Sequence, residues 1–391
     1  MKQYLDLLTR IKNYGCYKPA ARANMPSSTS LFGYQFRHNL ADGFPILTTK
    51  KVSFKNIVIE LLWFLRGDTN IKYLIENGLN IWNEDAYNYY CKIACVNNEE
   101  VNSILLPISS KMGVRNAHPI FEADGYSMLQ FEEFCDMMKK TPKEDLPKYK
   151  NYILGDCGHQ YGKVWRDWEN FIGNNGNAIY FNNIDQIKNL IEGLIKNPES
   201  RRHIVTAIDP AHDTNLALYW CHAMFQFNCR PLTMGEKVQW VMKNRDIEME
   251  NLAITEEALS KRTPQYYLDC QLYQRSADSF LGVPYNLTSY SLLIEIVAQM
   301  CNMISGELVH TFGDVHIYEN HDEQTDEQLK RTPTKLPKLL FKDKFHNDIE
   351  QFRNENMTIS EFINNIEVDS FALEGYNPQE AIKGKLSTGL K

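Results

Sequence analysis

Long apolar runs are missing from this 391-residue chain. None approaches the ~20 residues needed to cross a membrane as a helix, so no transmembrane segment is expected. Regularly spaced cysteines are missing too. The nine cysteines are an odd count without a CxxC pair, which argues against a disulfide framework and fits reduced thiols in a cytosol. GxGxxG, Walker and HExxH patterns and Cys/His ligand spacings are absent, which removes the common nucleotide and zinc readings, so no metal is expected. Excess positive charge is lacking as well. A net charge of −7 argues against a nucleic-acid or acidic-membrane partner and leaves room only for a local basic pocket. The first residues, MKQYLDLLTRIKNYG, read as an amphipathic helix with charges throughout, not as a targeting peptide. A cytoplasmic location is therefore expected.

What is present has the balance of a globular protein, 43% hydrophobic and 23% charged. Residues 3–14 predict a helix, and FGYQFRHNL at 32–40 alternates like a strand. Ser53 and Gly67 bracket a helix whose core is IVIELLWFL. Further helices are expected over 71–77, 127–140, 183–196 and 286–303, and strands over RRHIVTAI, 224–229 and YYLDCQLYQRSAD. Two polar stretches, about 86–152 and 231–264, read as insertions, because one helix and loops cannot enclose a core. The tail from Glu323 is charged and carries little periodicity. The expectation is one mixed α/β domain, residues 1–391, with two insertions.

Three features carry chemistry. Cys221 is followed by His222 at the mouth of an apolar strand, and a thiol needs positive charge nearby to attack as thiolate. Glu60 stands inside a helix apolar around nearly its whole circumference, where a carboxylate is costly unless it is paired or used. Arg22, Arg201, Arg202 and Arg275, the last followed by Ser276, offer the fork donors and hydroxyl that suit a phosphate dianion.

In chain order, IELLWFLRGDTN, YGKVWRDW, SRRHIV, DCQLYQRSADSFLGVPYNLTSYSLL, GDVHIYENH and FALEGYNP closely resemble the thymidylate synthase family. The resemblance implies that family's fold, a mixed sheet packed by helices whose open face forms a homodimer. It implies deoxyuridylate and 5,10-methylenetetrahydrofolate as substrates. Cys221 would be the nucleophile at pyrimidine C6. Arg22, Arg275 and Ser276, with Arg201 and Arg202 from the other subunit, would hold the phosphate. His316 and Tyr318 would bond the sugar hydroxyl, and Gln274 and Asn286 would meet the base. Asp278, Trp82 and Glu60 would line the folate. Glu60 would also organise water and proton transfers, and Tyr161 would help remove the C5 proton.

Departures from the family pattern cluster where water would be excluded. Trp220 precedes the nucleophile in place of proline, and GHQYG puts His159 and Gln160 before Tyr161. Asp85 stands where a tryptophan is expected, Ser53 where some members are basic, and the chain ends in GKLSTGLK. The sequence therefore looks most like the deoxyuridylate hydroxymethylases of the family, found in phages with modified pyrimidines, in which water adds where a synthase delivers hydride. A thymidylate synthase is the alternative within the family. An inactive RNA-binding relative is the alternative from another class, disfavoured by the net charge and the full set of chemical residues.

Overall fold

The computed structural model describes residues 1–20, 25–94, 129–149, 152–174, 179–244 and 263–386. Its frame is a six-stranded mixed sheet. The elements that build the frame and the site are α1 (Lys2–Tyr14), β1 (Cys16–Lys18), β2 (Ser28–Asn39), α2 (Phe54–Leu65), α3 (Asn83–Ala94), α4 (Tyr161–Arg166), β3 (Ile204–Thr206), β4 (His222–Pro231), β5 (Tyr266–Asp278), α5 (Gly282–Met300) and β6 (Ile304–Tyr318). The strand order is β1-β2-β6-β5-β4-β3. All neighbours are antiparallel except β5 and β6, which run parallel and are joined through α5. Such a parallel connection needs a crossover element, and α5 supplies it by packing on both strands.

One face of the sheet is covered and the other is open. On β5 the side chains of Leu268, Cys270, Leu272 and Gln274 point into the core, while Gln271 and Tyr273 alternate outward. Phe32 on β2 and Ile204 on β3 are also exposed. Helix α2 is sealed instead: every residue from Ile57 to Leu65 is buried. Ser53 caps it by accepting the Asn56 N–H, and Gly67 leaves it at φ +73°, a conformation that a side chain would strain. Complete burial makes Glu60 an anomaly to be explained.

Several boundaries differ from the sequence reading. Helix α5 starts at Gly282, so Asn286 lies one turn inside it. Strand β3 begins only at Ile204, because Arg201 and Arg202 sit in the preceding turn. The tail is far more ordered than its charge suggests. It holds helices Asp322–Leu329, Asp343–Arg353 and Ile359–Asn365 and a ladder of Lys338–Phe341 with Phe371–Glu374. Its core is aromatic: Phe345 packs on Phe341, Phe362 and Phe371 with ring centroids 4.5–5.7 Å apart. A few large anchors separated by charges leave no helical or strand period to read. Much of the two stretches read as insertions lies outside the described residues. Within them, helix Phe131–Lys140 buries Phe134 and Met138, and Phe134 packs against Tyr87 and Tyr90 of α3.

Candidate active site

Cys221 is the last residue before β4, held where that strand meets β5. Arg275 of β5 fixes it from two sides. Its backbone N–H donates to the Cys221 carbonyl at 2.9 Å, and its guanidinium donates to the carbonyls of Trp220 (2.6 Å) and Tyr219 (2.9 Å). One guanidinium nitrogen lies 3.8 Å from Sγ. Burial pushes the thiol up, Arg275 opposes that, and Asp85 adds to the rise. Within one chain, desolvation outweighs this single arginine.

Tyr161 opens α4 and is buried against the same strand end. Its hydroxyl oxygen accepts the N–H of Cys221 at 2.8 Å and of His222 at 3.1 Å. With both lone pairs engaged, the hydroxyl proton is the group left to meet a ligand. Burial raises the phenol's pKa, so it serves as a hydrogen-bonded, neutral phenol. Phe64, one turn beyond Glu60 on α2, packs on Tyr161 with centroids 4.8 Å apart, which ties Glu60's helix to the thiol.

Glu60 accepts the Trp82 indole N–H at 2.7 Å. Burial raises its pKa to about 7, against the effect of that bond. One helical turn past Trp82, Asp85 is also raised to about 7, by burial and then by Glu84. Two carboxyls near neutrality thus flank one tryptophan. The sequence marked Asp85 as a departure but gave it no role.

Asn286 belongs to a buried chain of side chains. Its Oδ1 accepts from Gln274 Nε2 at 2.9 Å, and Gln274 Oε1 meets His310 Nε2 at 2.9 Å. His222 shares a side-chain hydrogen bond with Asn286, and burial lowers its pKa to about 4, so it is neutral near pH 7. His316 Nδ1 lies 2.9 Å from Asp314 Oδ1 and its ring meets that of Tyr318 edge-on at 4.7 Å. Asp278 uses one oxygen to accept the N–H groups of Phe280 and Leu281 at the approach to α5. Beside it, Lys50 donates to the Phe280 carbonyl at 2.5 Å, and burial lowers its pKa to about 7 despite the pull of Asp278. Nothing in the sequence reading singled out Lys50 or His310.

The arginines do not all converge. Arg201 and Arg202 are exposed and make no ion pair among the described residues. Ser276 is half-buried on β5. Arg22 lies outside the described residues. The substituted loop has a structural account in part. Trp220 donates its indole N–H to the His159 carbonyl at 2.8 Å, and Gln160 donates to the Leu218 carbonyl at 2.6 Å, so both brace the turn around the thiol.

Among the described residues, His159, Asp209 and His212 bring potential metal-ligand atoms within 4.8 Å of one another. Their geometry suits stacking better than chelation. The imidazoles lie 3.8 Å apart and only 9° from parallel, so their in-plane lone pairs run side by side instead of converging. His212 Nδ1 is already engaged by Asp209 at 2.8 Å.

Comparison with known proteins agrees with this assembly. The sequence pattern of the family described as thymidylate synthase matches residues 2–388. The chain belongs to the thymidylate synthase family. It is 39% identical to a thymidylate synthase of Listeria innocua, over 99% of this chain and the whole of that protein. It is 38% identical to thymidylate synthases of Listeria monocytogenes, again over 99% of this chain and the whole of each relative. Family membership supports one-carbon transfer to deoxyuridylate with methylenetetrahydrofolate as co-substrate. The match also spans the tail, which places its aromatic cluster within the family's fold. No helix among the described residues is long and apolar enough to cross a membrane.

Proposed function

We propose that the protein transfers a one-carbon unit to C5 of deoxyuridylate and completes the reaction with water, giving 5-hydroxymethyl-deoxyuridylate and tetrahydrofolate. Cys221 adds to C6, and the resulting enolate carbon C5 takes up the one-carbon unit. The C5 proton passes to a water oriented by the Tyr161 hydroxyl, whose oxygen is held by two N–H donors. The C–H electrons form the exocyclic double bond as the bond from the one-carbon unit to the folate nitrogen breaks. The base then carries an exocyclic methylene conjugated with C4=O. Water forms the new C–O bond at that methylene and gives its proton to a carboxylate. The electrons pass through the C4 enolate and expel the Cys221 thiolate from C6. No oxidant or reductant is consumed.

The observation that carries this reading is the pair Glu60 and Asp85, both held near pKa 7 by burial, with Asp85 inside the electrostatic reach of the thiol. A group titrating near the working pH is the effective one for taking a proton from water. A carboxyl at position 85 also brings hydration where hydride transfer demands its exclusion. The subunits form a homodimer through the open face of the sheet, with Arg201 and Arg202 completing the partner's phosphate site. Methylation to thymidylate is the second reading, favoured by the Listeria relatives at 38–39% identity.

Incubation with deoxyuridylate and methylenetetrahydrofolate separates the two by product mass and by dihydrofolate absorbance. Hydroxymethyl product without dihydrofolate is expected. Thymidylate formed one for one with dihydrofolate would replace the first reading by the second.

A further inference from the structure

The reading of Asn286 as the base-contacting amide leaves open what fixes its orientation, since an amide that can turn over recognises either pyrimidine. The side chains behind it settle the direction. His310 is fully buried on β6, stacked on Phe312 at 4.0 Å and edge-on to Phe36 at 5.5 Å. Its Nδ1 has no partner among the described residues. Burial keeps the ring neutral, so one nitrogen carries a proton and the other a lone pair. A buried orphan N–H is rarer than a buried orphan acceptor, which assigns the proton to Nε2. Nε2–H therefore donates to Gln274 Oε1 at 2.9 Å. Gln274 must then present its NH2 to Asn286 Oδ1, also at 2.9 Å. Asn286, which also shares a side-chain hydrogen bond with His222, is left with a proton of Nδ2 as its outward donor. That donor suits the O4 acceptor of uracil and opposes the N4 amino group of cytosine.

We propose that His310 is a positioning residue for base specificity: acting through Gln274, it locks Asn286 with its donor outward and so selects deoxyuridylate over deoxycytidylate. Turning Asn286 over to accept from cytosine would set two NH2 groups face to face. Turning Gln274 as well would aim its NH2 at the His310 N–H. Relief would require His310 to move its proton to Nδ1, where no acceptor waits. Each link converts one mismatch into another, so the lock is as strong as its buried end.

This inference rests on the proposed use of deoxyuridylate, and turnover of that substrate by the unaltered protein is measured first. Failure there removes the proposed function itself; success isolates the lock. His310→Leu keeps an apolar, similarly sized group and removes the donor. The ratio of kcat/KM for deoxyuridylate over deoxycytidylate is expected to fall about tenfold or more, and His310→Gln, which restores a donor, to recover part of it. Gln274→Glu is nearly isosteric and tests the same direction if the His310 variants fail to fold. Its carboxylate accepts from His310 but cannot donate, so Asn286 should turn its Nδ2 inward, present Oδ1 and move the preference toward deoxycytidylate. Because both substrates are compared in one preparation, a general loss of stability leaves the ratio unmoved. An unchanged ratio in folded His310→Leu, or a Gln274→Glu variant as selective for deoxyuridylate as the unaltered protein, overturns the assignment.

Discussion

The two ends of the pocket are built in opposite ways. At the end proposed for the base, neutral hydrogen bonds of 2.9 Å tie half-buried Asn286 to Gln274 and Gln274 to His310, and His222 shares a further one with Asn286. At the end proposed for the phosphate, Arg201 and Arg202 stand exposed in a turn, whereas Arg275 is fastened to the carbonyls around Cys221. The base end is arranged before any ligand arrives. The exposure of Arg201 and Arg202 accords with the proposed sharing of the phosphate site between subunits. Selectivity is thus held by rigid groups within one subunit, and charge recognition by long flexible ones at its edge.

Breaking the point where the two ends meet should have the largest effect. Cys221→Ala removes the nucleophile and should lower turnover by about 10⁴-fold or more. It should also abolish covalent capture of 5-fluoro-deoxyuridylate with folate, read by mass spectrometry, while the melting temperature stays near that of the unaltered protein. Covalent capture by that variant would exclude Cys221 as the attacking group. Breaking the base end comes next. Asn286→Asp should move the preference toward deoxycytidylate by ~10²-fold, the scale for leaving buried polar groups unpaired. A variant that keeps full selectivity would place base reading elsewhere.

The wall between the two ends offers a stability test. Glu60 is raised from 4.5 to about 7, chiefly by burial. The folded protein therefore binds its proton more tightly than the unfolded chain does. That contribution is complete below the unfolded value and is lost as pH rises through about 7. The full loss is on the order of 3 kcal/mol. Glu60→Gln should be insensitive to this change, so denaturant melts at about pH 5 and about pH 8 should differ less in the variant than in the unaltered protein. Equal slopes would mean that Glu60 titrates normally.

The smallest effect sharpens the phosphate end. Cys221→Ala and Arg202→Ala subunits should each be nearly inactive alone. After mixing, half the dimers are hybrids, each with one site that keeps both groups, so about a quarter of full activity should return. No recovery after verified subunit exchange would place the pair outside the shared site.

How far the sequence alone shows this architecture depends on whether residues lie close along the chain. Helix α2 was readable because its cap, apolar run and terminal glycine are contiguous, and β5 because its residues alternate from Leu268 to Gln274. The chemical roles of Cys221, Tyr161 and Asn286 came from resemblance, and the structure adds the contacts among them. The lock behind Asn286 was invisible for a geometric reason: Gln274 and His310 are 36 residues apart and meet only through the β5–β6 register. His159 and His212 stack across 53 positions, joined by a loop with no period. The tail was misread because its short helices rest on isolated aromatics. Asp85 and Lys50 show a further limit, since burial, not residue type, moves both to about 7.

The burial of Cys221 also bears on how its sulfur is kept between turnovers. Peroxides and stray electrophiles attack thiolates far faster than thiols. Burial disfavours the Cys221 thiolate, although a guanidinium nitrogen stands 3.8 Å away, and so opposes such attack on the sulfur. In the proposed reaction, reactivity then depends on the bound pyrimidine, whose C6 is the electrophile offered to the sulfur. The same desolvation that slows ionisation preserves the sulfur for the substrate.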